Sequence, residues 1–146
     1  MIAAEASVLI QRPVERVFRF VATDFFLNYP KWSPEVVELE KTSQEPVSVG
    51  TTGRQVRLDQ GRRSESLFRV TTFEPHRRIA FASTSGLQFR ASYTFESLPE
   101  GTRVIFGLEI QVDGLPFLLK PVIGGMVRNG TKQVVRNIKA LLEQVG

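Results

Sequence analysis

The feature that most constrains the fold is a long amphipathic pattern in residues 121–143. Apolar residues recur there at intervals of three, four or seven, the spacing that puts them on one face of an α-helix, and basic residues fall on the opposite side. Upstream of Asp113, apart from one helical region near the start, the chain reads as strand. The sheet must therefore wrap around the helix. The apolar face is Ile123, Val127, Val134, Ile138 and Leu141, joined by Gly130; the basic stripe is Arg128, Lys132, Arg136 and Lys139.

The N-terminal part predicts one strand followed by two short helices. Residues Ala6 to Gln11 alternate between apolar and polar and read as a strand. Pro13 suits the first position of a helix, and apolar residues continue at helical spacing up to Thr23. A second apolar cluster, residues 25–32, predicts a short helix or turn that closes one end of the sheet.

Period-two alternation then runs through six segments between residues 36 and 112, separated by short polar turns. This pattern predicts antiparallel hairpins with one apolar face and one solvent-exposed polar face. In the segment 50–59, Val56 and Leu58 are predicted to face inward, with Gln55 and Arg57 in solvent. Because sheets twist, the strands should curl. The predicted fold is α+β: a curved antiparallel sheet of six to seven strands around the C-terminal helix, with residues 1–146 forming a single domain.

Composition and charge exclude several classes of protein. The chain has no cysteine, which removes disulfides and thiolate chemistry and suits a reducing cytoplasm. The start lacks the pattern of a signal peptide, and no apolar run approaches the roughly 18 residues of a membrane span, so we expect a soluble cytoplasmic protein. The net charge is +4, but the arginine pairs at 62–63 and 77–78 lie beside separate turns, which argues against a nucleic-acid partner.

Several short motifs occur in a familiar order: Pro13–Phe18, Trp32–Pro34, Phe73–Pro75, Gly101–Val104 and Lys139–Glu143. In this order and spacing the chain resembles the SRPBCC or START-like helix-grip superfamily, and within it the bacterial polyketide cyclase/dehydrase group. The likeness runs from about Ala6 to Glu143. It implies a helix-grip fold with a cavity between the sheet and the C-terminal helix. It does not imply a reaction, because members of one fold carry different functions.

Few residues offer acid–base chemistry. His76 is the only histidine and lies in a predicted turn, so neither a paired-histidine metal site nor a hydrolase triad is expected. No metal and no cofactor are predicted. Among the polar residues predicted to face inward, Tyr93 and Arg54 are the catalytic candidates. The alternative is that the inward polar groups are simply satisfied within the core.

The concave face and the C-terminal helix together predict a site for an apolar ligand. Glycine in a helix costs about 1 kcal/mol relative to alanine, so Gly124, Gly125 and Gly130 either leave room for a ligand, let the helix bend, or permit close packing on the sheet. The apolar segment 115–120 before Pro121 is predicted to be a mobile lid or a plug. The predicted lining is Phe68, Phe81, Ser83, Phe89, Tyr93, Phe95, Phe106, Ile123, Val127, Gly130 and Val134.

Three functional hypotheses follow from these features. The leading one is a protein that binds a hydrophobic small molecule (a lipid, an isoprenoid or a polyketide-like compound) inside the fold. The first alternative is a cyclase or dehydratase in which Tyr93 and inward hydroxyls orient the substrate. The second alternative is a module that binds a protein surface, or binds a membrane surface peripherally, through the basic stripe Arg128, Lys132, Arg136 and Lys139. The ligand and the oligomeric state stay open.

Overall fold

In the described residues, the period-two segments form one antiparallel sheet of seven strands. The computed structural model describes residues 1–114 and 116–144. It confirms the predicted α+β architecture, with two short helices after the first strand and one long helix at the end. The strands are β1 (Ile2–Ile10), β2 (Val36–Lys41), β3 (Thr52–Asp59), β4 (Arg62–Glu74), β5 (Arg78–Ser85), β6 (Phe89–Leu98) and β7 (Gly101–Ile110); the helices are α1 (Val14–Phe18), α2 (Phe25–Trp32) and α3 (Lys120–Glu143). The order of the strands across the sheet is β1-β7-β6-β5-β4-β3-β2.

The N-terminal elements differ from the prediction in their bounds. Strand β1 begins at Ile2 rather than Ala6 and pairs with β7 along its whole length. After Ile2 come two alanines and a glutamate, whose weak apolar contrast hides the alternation. The helix predicted over 13–23 is divided, because α1 is followed by a π-helical turn at Arg19–Thr23. Pro13 lies just before α1, in extended backbone.

One end of the space between sheet and helix is closely packed, and we call it the closed end. Phe18 of α1 packs edge-on against Phe95 at 5.1 Å and Phe73 at 5.4 Å between ring centroids. Ile138 and Leu142 of α3 belong to the same buried cluster. Aromatic edge-to-face contacts and aliphatic burial stabilise this end.

Polar contacts fix the C-terminal half of α3 at the closed end. The Lys139 ammonium donates to the carbonyl oxygen of Leu9 at 2.7 Å and to the Glu143 carboxylate at 2.8 Å. The same carboxylate accepts the backbone N–H of Gln11 at 2.8 Å. These bonds join α3 to the end of β1, where the two elements run side by side. We call the Lys139–Glu143 pair and its two backbone partners the α3 clamp.

The buried face of α3 lies one residue away from the predicted one in its second half. Val127 and Ile138 are buried as predicted, but Thr131, Val135 and Leu142 are buried where Gly130, Val134 and Leu141 were expected. Gly130 is exposed, so its predicted place on the buried face is wrong. Val134 and Leu141 are half-buried at the edge of the contact.

We expect Glu143→Gln to lower the free energy of unfolding at pH 7, because it removes the charge that binds Lys139 and the Gln11 amide. The loss should be only about 0.5–1 kcal/mol, since solvent screens the ion pair. The Lys139 ammonium and then the Gln11 amide lower the pKa of Glu143 below its ordinary 4.5. The stabilisation is therefore present above that pH and is lost as the pH falls through the lowered pKa. Urea unfolding at several pH values measures it.

Glu96→Gln is the control, since Glu96 makes only an exposed ion pair with Arg103 at 3.5 Å. Its effect should be close to zero at every pH. Equal stability of Glu143→Gln and the wild type at pH 7 would contradict the role given to the clamp.

Candidate ligand-binding site

The N-terminal half of α3 is not packed closely on the sheet. Gly124 is buried, yet a Cβ placed on it would meet only the guanidinium of Arg128, at 3.6 Å. A Cβ on Gly125 would also meet only Arg128, and one on Gly130 would meet nothing within 4 Å. The helix glycines therefore do not serve close packing of helix on sheet. They leave space beside the helix.

The sheet is correspondingly less covered along this half of α3. On β6, Tyr93 is buried, whereas Ala91 and Phe89, two and four residues earlier on the same face, are half-buried. On β7 the same change runs from buried Phe106 to half-buried Leu108. We call this region, between Phe89, Ala91, Leu108 and the N-terminal half of α3, the open end.

Most of the predicted lining lies in the packed core, and Tyr93, two residues from Ala91 on the same face of β6, lies where this core meets the open end. The Tyr93 ring stacks on Phe106 at 4.7 Å between centroids, and the Phe81 ring lies 5.8 Å from Phe68. Ser83 is held within its hairpin, because its hydroxyl oxygen accepts the N–H of Phe89 at 2.9 Å. The structure places the predicted lining as follows: Phe68, Phe81, Tyr93, Phe95, Phe106 and Val127 are buried, Ser83, Phe89, Ile123 and Val134 are half-buried, and Gly130 is exposed.

Strand β3 presents the opposite face from the one predicted. Gln55 pairs across the strands with Ser66, whose side chain faces the interior, so Gln55 and Arg57 point inward. The prediction that both lie in solvent is wrong. The inward orientation proposed for Arg54 is wrong as well, since its guanidinium pairs with Glu65 and, at 3.2 Å, with Glu38 on the outer face.

The inward side chains of β3 form a polar cluster with α2 and β4. The Tyr29 hydroxyl donates to Gln55 Oε1 at 3.0 Å and accepts from Arg57 Nη1 at 3.1 Å. Gln55 Nε2 in turn donates to Ser66 Oγ at 3.2 Å. Two bonds of 3.1 Å from Arg57 to the Asp59 carboxylate hold the guanidinium in a fixed plane.

The polar cluster lies at the open end. Ser66 adjoins the β5–β6 turn, because a Cβ on Gly86 would come within 3.1 Å of its Cα atom. That turn leads directly into Phe89, the first residue of β6. The chain therefore brings a half-exposed apolar surface and a group of buried hydrogen-bonding side chains to the same end of the interior.

A second buried hydroxyl belongs to Tyr93. The indole N–H of Trp32 donates to the Tyr93 oxygen at 3.3 Å, and the Trp32 ring lies between Tyr29 and Tyr93 at centroid distances of 5.8 and 6.0 Å. Tyr93 is only 3% exposed. No described residue accepts the hydroxyl proton of Tyr93 or of Ser66. Both hydroxyls can therefore donate to a bound molecule.

Both phenols stay neutral near pH 7. Burial raises the pKa of Tyr93, and the bond from Trp32 opposes this only in part. Burial also raises the pKa of Tyr29, against the opposing charge of Arg57. Neutral phenols donate hydrogen bonds and do not act as general bases, so the cluster is suited to orienting an oxygen atom.

Sequence reasoning identified Tyr93 but missed Tyr29, Gln55 and Arg57 as members of the site. The available signal was the match between Gln55 and Ser66, two polar side chains that a short hairpin would place opposite each other. The pairing of Tyr29 with Arg57 joins residues from α2 and β3 and leaves no local pattern.

Two surface depressions adjoin the sheet. One, of about 610 Å³, runs over the outer face of the sheet beside Arg69, Ala82 and Arg90. The other, of about 370 Å³, lies at the β5–β6 hairpin and includes Ser83 and Phe89 at the rim of the open end. Within residues 1–114 and 116–144, no group of three or more acidic, histidine or cysteine side chains could hold a metal ion. In the same part of the chain, no helix is long and apolar enough to cross a membrane.

The chain belongs to the family described as polyketide cyclase / dehydrase and lipid transport, whose model matches residues 1–143. No curated protein matches the sequence. The family match confirms the family inferred from the motifs and, together with the sheet order, the helix-grip fold.

Solved structures share this fold at low sequence identity. TTHA0849 from Thermus thermophilus is 21% identical over 96% of each chain, with a TM-score of 0.77. The ZhuI aromatase/cyclase from Streptomyces sp. R1128 is 14% identical over 97% of this chain and 93% of its own, with a TM-score of 0.78. A START superfamily protein from Mycobacterium smegmatis is 17% identical over 99% of each chain, with a TM-score of 0.75. Such identities show the fold alone.

We expect the two tyrosines, the only ones in the chain, to resist ionisation in the folded protein. Their folded pKa values lie above the ordinary 10.0 because both are buried, so the stability that they contribute is present below pH 10 and is lost as the pH rises through the folded values. Tyrosinate absorbance should appear only together with loss of the near-ultraviolet circular dichroism of the folded state. Tyrosinate formation near pH 10 in a fully folded protein would contradict the burial of both hydroxyls.

Proposed function

We propose that the chain binds a hydrophobic small molecule (a lipid, an isoprenoid or a polyketide-like compound) at the open end, with an oxygen acceptor of the ligand directed at Tyr93 and Ser66. The observation that carries the proposal is the coincidence of two buried hydroxyl donors with a half-exposed apolar surface. A site of this kind, mostly apolar with few placed polar groups, is typical of small-molecule pockets.

Apolar contact would supply most of the binding free energy. Phe89, Ala91 and Leu108 from the sheet and Ile123 from α3 all keep accessible apolar surface. Covering such surface yields about 25 cal/mol per Å². The family description, which names polyketide chemistry and lipid transport, supports an apolar ligand.

A single domain and a cytoplasmic location stay predictions.

The hydroxyl donors would select among apolar ligands. A buried polar group without a partner costs about 1–3 kcal/mol, and an acceptor oxygen on the ligand would remove that cost. Tyr93 is oriented by Trp32, and Ser66 by Gln55, so both oxygens are fixed before a ligand arrives. We therefore propose a ligand with a carbonyl, or an equivalent oxygen, at its inner end.

The second candidate function is a cyclase or dehydratase, and the Tyr29–Arg57 pair favours it. A permanently charged guanidinium bonded to a phenol can stabilise negative charge that develops on a substrate oxygen. Within this cluster, however, the carboxylate of Asp59 is already committed to Arg57, and no side chain of the cluster is free to act as a base. Binding is therefore the primary proposal.

We expect Gly124→Leu to weaken binding of 2-ethylnaphthalene about tenfold, because the added side chain would occupy the space beside the helix. Gly130→Leu is the matched control: it changes the same residue type on the same helix, but on the exposed side. Both changes improve helix propensity, so neither should unfold the protein. Equilibrium dialysis measures the affinity.

Equal affinities of Gly124→Leu and the wild type would contradict a ligand at the open end. Equal losses in both variants would assign the effect to the helix in general rather than to the space at Gly124.

We expect Tyr93→Phe to weaken binding of 2-acetylnaphthalene by about five- to tenfold, the effect of losing one hydrogen bond of about 1 kcal/mol. Binding of 2-ethylnaphthalene, which has the same shape but no carbonyl, should change little. Ser83→Ala is the control, because the Ser83 hydroxyl is engaged with Phe89. Equal losses for the two probes in Tyr93→Phe would show that Tyr93 acts by packing alone.

A further inference from the structure

The segment before α3 and the first turns of that helix carry exposed apolar side chains. Phe117 and Leu118 are 82% and 83% exposed, Val122 is 58% exposed and Met126 is 45% exposed. A plug would be buried, so that interpretation of the segment 115–120 is wrong for Phe117 and Leu118. Leu115, which was part of the segment, lies outside the described residues. The apolar tip is defined as Phe117, Leu118, Leu119, Val122 and Met126.

Basic residues predominate after the apolar tip, whereas the exposed Asp113 lies four residues before Phe117. From residue 114 to residue 142 the chain contains five basic residues and no acidic one. Lys132 and Arg136 are exposed, and at 100° per residue they fall within about 80° of Val122 on the helix. Lys139 is not part of this free surface, because it belongs to the α3 clamp. Lys132 and Arg136 therefore lie on the same exposed side of α3 as Val122, about 15 and 21 Å further along the helix axis. We call these two residues the basic border.

We propose that the apolar tip and its basic border dock on an anionic lipid bilayer. Phe117 and Leu118 would enter the boundary between headgroups and acyl chains, and Lys132 and Arg136 would contact acidic headgroups. A bilayer is favoured over a protein partner because these side chains project almost fully into solvent instead of lining a groove. The proposal stands without the ligand site.

Docking in this orientation would place the open end against the bilayer. The apolar tip precedes Ile123 and Gly124, which border the open end. A hydrophobic ligand could then move between bilayer and interior without crossing water. Only this consequence rests on the proposed ligand site.

The direct test is co-sedimentation with vesicles of phosphatidylcholine containing about 30% phosphatidylserine, compared with phosphatidylcholine alone. The wild type should bind the anionic vesicles more tightly. The double variant F117S/L118S should lose about tenfold or more in affinity, because two apolar side chains no longer enter the bilayer. L27S/V37S is the matched control: these side chains are 69% and 54% exposed on α2 and β2, and their loss should have no effect.

Two charge-reversal variants test the electrostatic contribution to vesicle binding. K132E/R136E should weaken binding to the anionic vesicles about tenfold or more, while R16E/R77E, which changes the net charge equally at exposed sites outside α3, should have a smaller effect. Added salt should weaken the binding of the wild type to anionic vesicles and reduce the difference in affinity between the wild type and K132E/R136E. Dialysis of F117S/L118S against 2-ethylnaphthalene reports on the open end independently, so failure of one proposal is distinguishable from failure of the other.

Two outcomes would overturn the bilayer proposal. One is a wild type that does not sediment with anionic vesicles, or sediments equally after F117S/L118S. The other is self-association in the ultracentrifuge that F117S/L118S abolishes while vesicles stay unbound, which would assign the surface to a second copy of the chain.

Discussion

The structure depends on the clamp between the C-terminal half of α3 and the end of β1. Lys139 and Glu143 bond to each other and to backbone groups of Leu9 and Gln11, while Asn137 donates to the Trp32 carbonyl oxygen at 3.0 Å. These contacts hold α3 against both β1 and α2. In the described residues the N-terminal half of the helix makes no comparable bonds to the sheet. The helix is therefore fixed at its C-terminal end, whereas its N-terminal half is packed less closely.

The closed end and the open end are built from different kinds of side chain. Aromatic and aliphatic side chains fill the closed end, and this burial stabilises the fold. The open end has accessible apolar surface with buried polar groups along one side. Buried hydroxyls without acceptors do not stabilise a fold, and for that reason we give Tyr93 and Ser66 a role toward a ligand. The exposed apolar tip lies next to the same end, so the proposed binding site and the proposed docking surface belong to one half of the molecule.

The sequence was sufficient for the architecture but not for the polar site. Strand alternation and helical spacing are local signals, and both predicted the right elements. The buried face of α3 was misplaced by one residue because Val134–Val135 and Leu141–Leu142 put apolar side chains at adjacent positions, where periodicity cannot choose between them. On β3, Gln55 and Val56 are both buried, so alternation failed there. The cluster around Tyr29 could not be predicted, because it depends on how α2 packs across the sheet.

The proposed function requires that a ligand at the open end present an oxygen to Tyr93 or Ser66. A crystal structure of the complex with 2-acetylnaphthalene tests it most directly. We expect the naphthalene ring between α3 and the sheet near Phe89, with the carbonyl oxygen about 3 Å from the hydroxyl oxygen of Tyr93 or Ser66. A probe bound in the depression on the outer face beside Arg69 and Arg90, or bound inside with its carbonyl directed away from both hydroxyls, would contradict it.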